Sequence, residues 1–266
     1  MKGYLFILLN LNLGLLYAQE INTGPRFTAL GNTGAALQDV WSLQSNQAGI
    51  TAVRSATAAA GNESDFPAAE LSTQSVLFVY PYKNNVFGIS FQNYGFSAYS
   101  EQRVGLTYAK AFGDKLSAAI SFNMYQLKIP QYGVASAFSA EAGLQYKIAE
   151  KILLGSHISN PSGAGYAGRL SASLPVMLEL GGAYAFSDKV RLSGSLVTVL
   201  NTSQDVRLGL EYMLAEVIAL RGGINLNPMR QFAGFGYKYK HLDIDAAVSA
   251  HPAIGYRPQI ALAYEF

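Results

Sequence analysis

Three histidines, His157, His241 and His251, are the side chains here that most directly offer chemistry. An imidazole can move protons or hold a metal, but either task needs partner groups at short, regular spacing. No second histidine stands four residues from any of them, and the chain has no cysteine, so thiolate metal sites and disulfides are excluded. No Gly-x-Ser-x-Gly elbow occurs, and Gly234 and Gly236 sit inside an alternating stretch rather than in a phosphate-cradling loop. The histidines therefore read as strand-end or loop residues. No catalytic, cofactor or metal site is predicted, and no enzymatic activity is expected. The chemistry left is that of charges: Glu141, Glu179, Arg191, Arg207, Glu211, Arg221, Lys238, Asp243 and Asp245. All nine occupy the more polar parity of alternating stretches.

Those stretches dominate the chain. In 115–128, Leu116, Ala118, Ile120, Phe122 and Met124 share one parity, and Ser117, Ala119, Ser121, Asn123 and Tyr125 the other. In 204–213, Val206, Leu208, Leu210 and Tyr212 oppose Arg207, Gly209 and Glu211. This period of two is that of β-strands. About fourteen candidate strands follow one another, from 51–60 to 256–266, at lengths that suit tilted membrane strands of about 9–11 residues. Tight turns built on one pattern alternate with longer links. Tyr108 to Leu116 and Tyr184 to Leu192 each set an aromatic before an acidic turn residue. Tyr146-Lys-Ile-Ala-Glu and Tyr212-Met-Leu-Ala-Glu are variants of it. The longer links include Gln92–Glu101, Pro130–Ala135 and Asn160–Ser171.

Composition points the same way. Charged residues are 14% of the chain, with 26 Gly, 17 Tyr and 14 Phe, against about 25% charged in an ordinary soluble domain. The 19 basic residues form no stripe and net charge is +2, so nucleic acid is not an expected partner. The polar parity is rich in Gly, Ser and Ala, which suits a crowded barrel interior better than a solvated surface. The predicted fold is an all-β, transmembrane antiparallel β-barrel of about fourteen strands. A cation facing lipid at mid-depth would cost about 2–4 kcal/mol. The nine charges are therefore predicted to face the lumen, where mixed signs pair with each other and anchor an internal segment.

The ends of the chain differ from its middle. Lys2 precedes an apolar run from Tyr4 to Leu16, shorter than the ~20 residues of a spanning helix, which closes on Leu16-Tyr17-Ala18-Gln19. Residues 1–18 read as a secretory signal cleaved after Ala18. Residues 19–50 do not alternate; turn formers frame a helix-compatible piece, Ala35 to Ser42, and the segment reads as a plug or hatch for the barrel of 51–266. At the other end, Ile260, Leu262, Tyr264 and Phe266 share one parity and the chain stops on an aromatic. This ending resembles the assembly signal of bacterial outer-membrane barrels, with Tyr264 and Phe266 as its aromatics. The expected location is the bacterial outer membrane with both termini periplasmic. The expected partners are outer-membrane lipid, the barrel-assembly machinery and other outer-membrane or periplasmic subunits. Tyr132, Tyr166 and Tyr256, with Phe96 and Tyr99, are candidate rim residues for such a subunit.

Gly31-Asn32-Thr33-Gly34-Ala35 followed by Asn46-Gln47-Ala48-Gly49-Ile50 resembles the N-terminal segment of FadL-type outer-membrane proteins, in particular their PorV/PorQ branch in Bacteroidota. Gly31, Gly34 and Ala35 match the first box of that pattern, and Asn46, Ala48, Gly49 and Ile50 the second, with Gln47 where the family has proline; Asn32 is counted with them as a residue of the hatch motif. The resemblance implies a fourteen-stranded barrel with the N-terminal segment folded inside. It implies one of two roles: a non-enzymatic accessory subunit of a larger assembly such as the type IX secretion system, or a transporter of hydrophobic small molecules. The polar lumen favours the first.

Overall fold

The computed structural model describes residues 23–64, 71–167, 172–252 and 255–266. The predicted signal, residues 1–18, lies outside them. Fourteen strands close into one antiparallel barrel in which each strand pairs with its neighbours in sequence. They are β1 Thr57–Ser64, β2 Ser72–Tyr82, β3 Asn85–Phe96, β4 Tyr99–Phe112, β5 Leu116–Ile129, β6 Gly133–Ala149 and β7 Ile152–Ser159. The second half is β8 Met177–Ala185, β9 Val190–Val199, β10 Asp205–Ala215, β11 Ile218–Leu226, β12 Met229–Tyr239, β13 Leu242–His251 and β14 Gly255–Glu265. β14 closes the ring on β1, in register from Thr57↔Glu265 to Glu63↔Gln259.

Alternation decides the faces as the sequence predicts. Leu106, Phe122, Phe138 and Ile260 are exposed on the outside, while Ser121, Asn123 and Glu141 are buried inside. Near the tight turns, Tyr82, Phe112, Tyr146, Tyr212, Tyr239 and Tyr264 form an exposed aromatic band, as membrane barrels carry at an interface. Among the described residues no helix is long and apolar enough to cross a membrane; the strands supply the spanning elements.

Three local expectations are corrected. The stretch 51–60 is not strand throughout: Gln47–Ala52 is a 3-10 turn and β1 begins at Thr57. The Asn46 side chain accepts the Ala48 N–H, which holds the chain in a turn past the point where sequence alternation begins. The expected helix Ala35 to Ser42 is instead two 3-10 turns, Gly34–Ala36 and Val40–Gln44, after a short helix α1 at Pro25–Ala29. Finally, Gln92–Glu101 and Pro130–Ala135 are not long links, because β3 to β6 continue almost to their turns. Phe96 and Tyr99 are thus paired strand ends rather than loop residues.

The described part of the non-alternating segment, residues 23–50, lies inside the barrel. Phe27, Leu30, Leu37, Trp41, Leu43 and Ile50 form one buried apolar cluster with the inward faces of β1 to β5 and β14, including Leu77, Val79, Ala109 and Ala261. A lumen this wide cannot be filled by wall side chains alone, and burying side chains of this size contributes about 1.5–3 kcal/mol each.

Candidate functional site at the hatch and lumen wall

The seven motif residues hold the hatch against the wall. Asn46 is fully buried. Its amide donates to the Ala35 carbonyl at 2.7 Å and to two wall carbonyls, Leu144 at 3.0 Å and Ser156 at 3.2 Å. One side chain therefore ties two arms of the hatch to β6 and β7. The Ala35 N–H donates to Glu179 at 3.2 Å, and its carbonyl also accepts from Gln145. Gly31 and Asn32 both take positive φ, which reverses the chain after α1; glycine adopts this freely and asparagine more readily than most residues. Gly34 and Gly49 lie against Ser45 and Ser42, where a Cβ would not fit. Ala48 is fully buried in the apolar cluster.

The wall meets the hatch with glycine. A Cβ at Gly155 would fall 1.8 Å from the Ala35 carbonyl oxygen, at Gly143 2.1 Å from Asn46 Oδ1, and at Gly209 2.4 Å from the Leu30 carbonyl oxygen. At Gly223 it would lie 2.3 Å from Gly31 N, and at Gly88 2.3 Å from Leu43. At Gly155, Gly209 and Gly223 the hatch backbone thus approaches strand backbone with no side chain between, while Gly143 and Gly88 make room for the Asn46 and Leu43 side chains.

The nine predicted charges all face the lumen, in separate groups. Glu211 is the centre of the largest. Arg26 of α1 donates to both its oxygens, at 2.9 and 3.0 Å, and to Asp39 at 2.8 Å. Arg221 bridges Glu211 at 2.7 Å to Asp245 at 2.5 Å, and Arg191 stands 3.7 Å from Glu211. Burial pushes the Asp39 carboxyl above its ordinary value, with Arg26 and the Trp41 N–H opposing. Lys238 pairs with Asp243 and Glu265 near the tight turns. Arg207 pairs with Asp205 and donates to the Asn32 carbonyl. Glu141 is the centre of a fully buried group: Arg103 at 2.8 Å, Gln47 at 2.5 Å and His157 at 3.2 Å. Glu179 stands apart on Ala35. His157 is therefore no strand-end residue; it lies within β7, buried against Glu141.

Sequence reasoning missed Arg26, Asp39, Arg103 and Gln145. Arg103 shares the inward parity of Gly105 and Thr107 in a stretch whose alternation is plain, so that signal was present. Arg26 and Asp39 lie where no period exists to assign a face.

At the end away from the tight turns, the described parts of the β7–β8 loop turn inward. Tyr166 and Leu174 are buried against Tyr125, Leu127, Ala135 and Ala137, with Tyr99 and Ile129 beside them. Tyr166 is thus not on the rim, while Tyr132 and Tyr256 are exposed. Burial raises the Tyr166 phenol above its ordinary value. This apolar and aromatic patch adjoins the hatch. The Arg103 guanidinium lies 5.7 Å from the Tyr125 ring and donates to hatch residue Gln44 at 2.5 Å.

No family model matches the sequence, and no curated protein sequence matches it. Solved structures do match. CymD, a monoaromatic hydrocarbon channel, superposes with a TM-score of 0.70 at 12% identity, over 91% of this chain and 97% of that one. The Ralstonia pickettii toluene transporter TbuX gives 0.68 at 16% identity, over 91% and 98%. A Pseudomonas aeruginosa FadL homologue gives 0.66 at 12%, over 91% and 98%. The chain has the fold of a FadL-type barrel. The structures it resembles are channels and transporters rather than enzymes, and at these identities the likeness is one of fold.

Proposed function

We propose that the protein is an outer-membrane barrel that takes small hydrophobic molecules into its lumen for transport. The observation that carries this reading is the buried patch of Tyr99, Tyr125, Leu127, Tyr166 and Leu174 inside the long-loop mouth, next to the hatch. Apolar and aromatic side chains of this kind line sites for apolar ligands, and the buried Arg103 packs on Tyr125 beside them. Most of the polar lumen that favoured an accessory role belongs to the hatch contacts, while this mouth holds the buried Glu101, which accepts from the Tyr99 hydroxyl. The fold shared with hydrocarbon channels and a toluene transporter supports the same reading by analogy. In this proposal the tight turns and both termini face the periplasm, lipid surrounds the apolar band, and the barrel-assembly machinery inserts the chain. The test is uptake of toluene and of a long-chain fatty acid by cells lacking the protein and by complemented cells. Complementation should restore uptake, and Leu174→Asp, which puts a carboxylate into the patch, should lower it several-fold at equal barrel level. Equal uptake with and without the protein would remove the proposal.

A second reading, a PorV/PorQ-like accessory subunit of a secretion assembly, is favoured by the hatch itself. Its backbone is seated on Gly155, Gly209 and Gly223 too closely for a side chain to intervene, as suits a barrel whose interior is structural. Purification in mild detergent separates the two. A stoichiometric complex with another large subunit, together with unchanged uptake in the deletion strain, would establish it.

A further inference from the structure

The tight-turn mouth holds two cavities that share Gln38, Ala52 and Arg54 in their walls. Their charges differ in kind. The first, about 400 Å³, is lined by the Glu211 group and by Lys238 with Asp243 and Glu265. Nearly all of its charges are satisfied by each other in the ion pairs described above. The second, about 620 Å³, sets Arg54, Lys115, Lys147, Lys151 and Arg191 against Asp114 and Glu150. That is five cations against two carboxylates. Lys147 is paired with Glu150, and Arg191 lies near Glu211. Among the described residues no ion pair involves Arg54, Lys115 or Lys151, and all three are exposed.

This second cavity is blind. Its inner wall includes Ala36, Gln38 and Gln145. Gln145 is buried and donates to the Ala35 and Leu37 carbonyls at 3.0 and 2.9 Å while accepting from Gln38 at 2.9 Å. Those bonds join hatch to wall, so the cavity ends on a hydrogen-bonded floor and leads nowhere. A cationic passage could select a solute; a cationic pocket without an exit can only hold one. Its cations come from the hatch end, the β4–β5 turn, β6 with the β6–β7 turn, and β9, and so surround the opening. A single small anion would reach one or two of them, whereas a chain bearing several carboxylates reaches them all. The hydrogen-bonded wall of β4 to β9 separates the cavity from surrounding lipid.

We propose that this cavity is a docking socket for an acidic peptide segment of a partner protein, held by Arg54, Lys115 and Lys151. The interaction is electrostatic and partly solvated, so it is expected to be fast, salt-sensitive and of modest affinity.

The test uses the purified full-length barrel in detergent and a fluorescent Glu-rich octapeptide read by anisotropy. The Glu peptide should bind at low salt, and a Gln-for-Glu peptide should not. Affinity should fall by about tenfold or more in the triple variant Arg54→Gln, Lys115→Gln, Lys151→Gln, and again on raising NaCl from about 50 to 300 mM. The double variant Lys83→Gln, Lys240→Gln removes tight-turn cations that pack on Tyr82 and Tyr239 and line neither cavity; it should bind as the parent does. Equal binding by the triple variant, binding of the Gln peptide, or no binding at low salt would overturn the proposal. Displacement of the peptide by inorganic phosphate at matched charge would overturn the peptide assignment in favour of a small anion. Heat-modifiable migration of each variant on a gel verifies that its barrel is folded.

Discussion

At the scale of single residues, the molecule depends on what is left out as much as on what is present. Gly155→Ala would drive a methyl into the Ala35 carbonyl, an approach of 1.8 Å to backbone that cannot swing aside. Overpacking of this kind costs about 1–3 kcal/mol. The expected result is a displaced hatch, seen as a red shift of Trp41 fluorescence, with strand content unchanged. Gly222→Ala is the control, since its nearest contact is the Phe232 carbonyl oxygen at 3.9 Å, and its spectrum should match the parent's. Gln47 argues differently. It stands where the resembling family has proline, and the structure gives a reason: it is fully buried and donates to Glu141. Glu141 needs such donors because its carboxylate is buried with Arg103 and His157. Arg103→Met should destabilise the barrel by about 3–5 kcal/mol, because an uncompensated buried charge remains, and the double variant Arg103→Met, Glu141→Met should recover much of that loss. Urea unfolding of both in one detergent measures the difference; equal loss in single and double variants would show that shape rather than charge sets the cost.

At the scale of elements, the hatch is held by two unlike faces. Its apolar side packs on β1 to β5 and β14, while α1 is latched to β10 by Arg26 and Glu211. Arg26→Ala should cost about 2–3 kcal/mol locally, because Asp39 loses its cation and Glu211 loses two charged hydrogen bonds and keeps Arg221, and should expose residues near 23–40 to protease while the barrel resists. Unchanged cleavage kinetics would show that the apolar face alone holds the hatch. The strands were legible in the sequence because each carries its own period-two record, and fourteen were expected and fourteen found. The turn repeats carried more than turn chemistry: Tyr146-Lys-Ile-Ala-Glu and Tyr212-Met-Leu-Ala-Glu both shift register, between Lys147 and Ala149 and between Met213 and Ala215. A repeated sequence thus encodes a repeated bulge, which twists the strand at the rim. The inward parity of the nine charges was equally legible, but their partners were not. Arg26 reaches Glu211 across 185 positions of sequence, and no period links a hatch residue to a wall residue. The inward fold of Tyr166 was hidden for the same reason, since a loop tyrosine reads as rim until its packing is known.

At the scale of the whole molecule, ring closure and hatch placement meet at one point. β14 pairs with both β13 and β1 and so completes the sheet. Beyond it, the Phe266 N–H donates at 2.8 Å to the carbonyl of Ala56, the residue before β1. Every preceding tight turn makes a bond of the same kind, from Ala111 N–H to the Asn84 carbonyl through to Glu265 N–H to the His241 carbonyl. Phe266 therefore carries the closing link of this row, and its exposed ring meets Tyr264 edge-on at 5.1 Å between centroids. Deleting Phe266 removes that link and one girdle aromatic but leaves all seven residue pairs of β1 with β14. A finished barrel should thus lose little, about 1–2 kcal/mol for a hydrogen bond and an exposed aromatic contact. In cells the effect should be larger, because the terminal aromatic is what resembles an assembly signal. The truncated protein should refold in detergent to a heat-modifiable barrel with near-parental urea stability, while its membrane level falls several-fold. If refolding and membrane level fall together, Phe266 acts through closure of the sheet. If neither falls, the terminal aromatic is a girdle residue like those on the other strands, and recognition of the chain must rest on another part of β14.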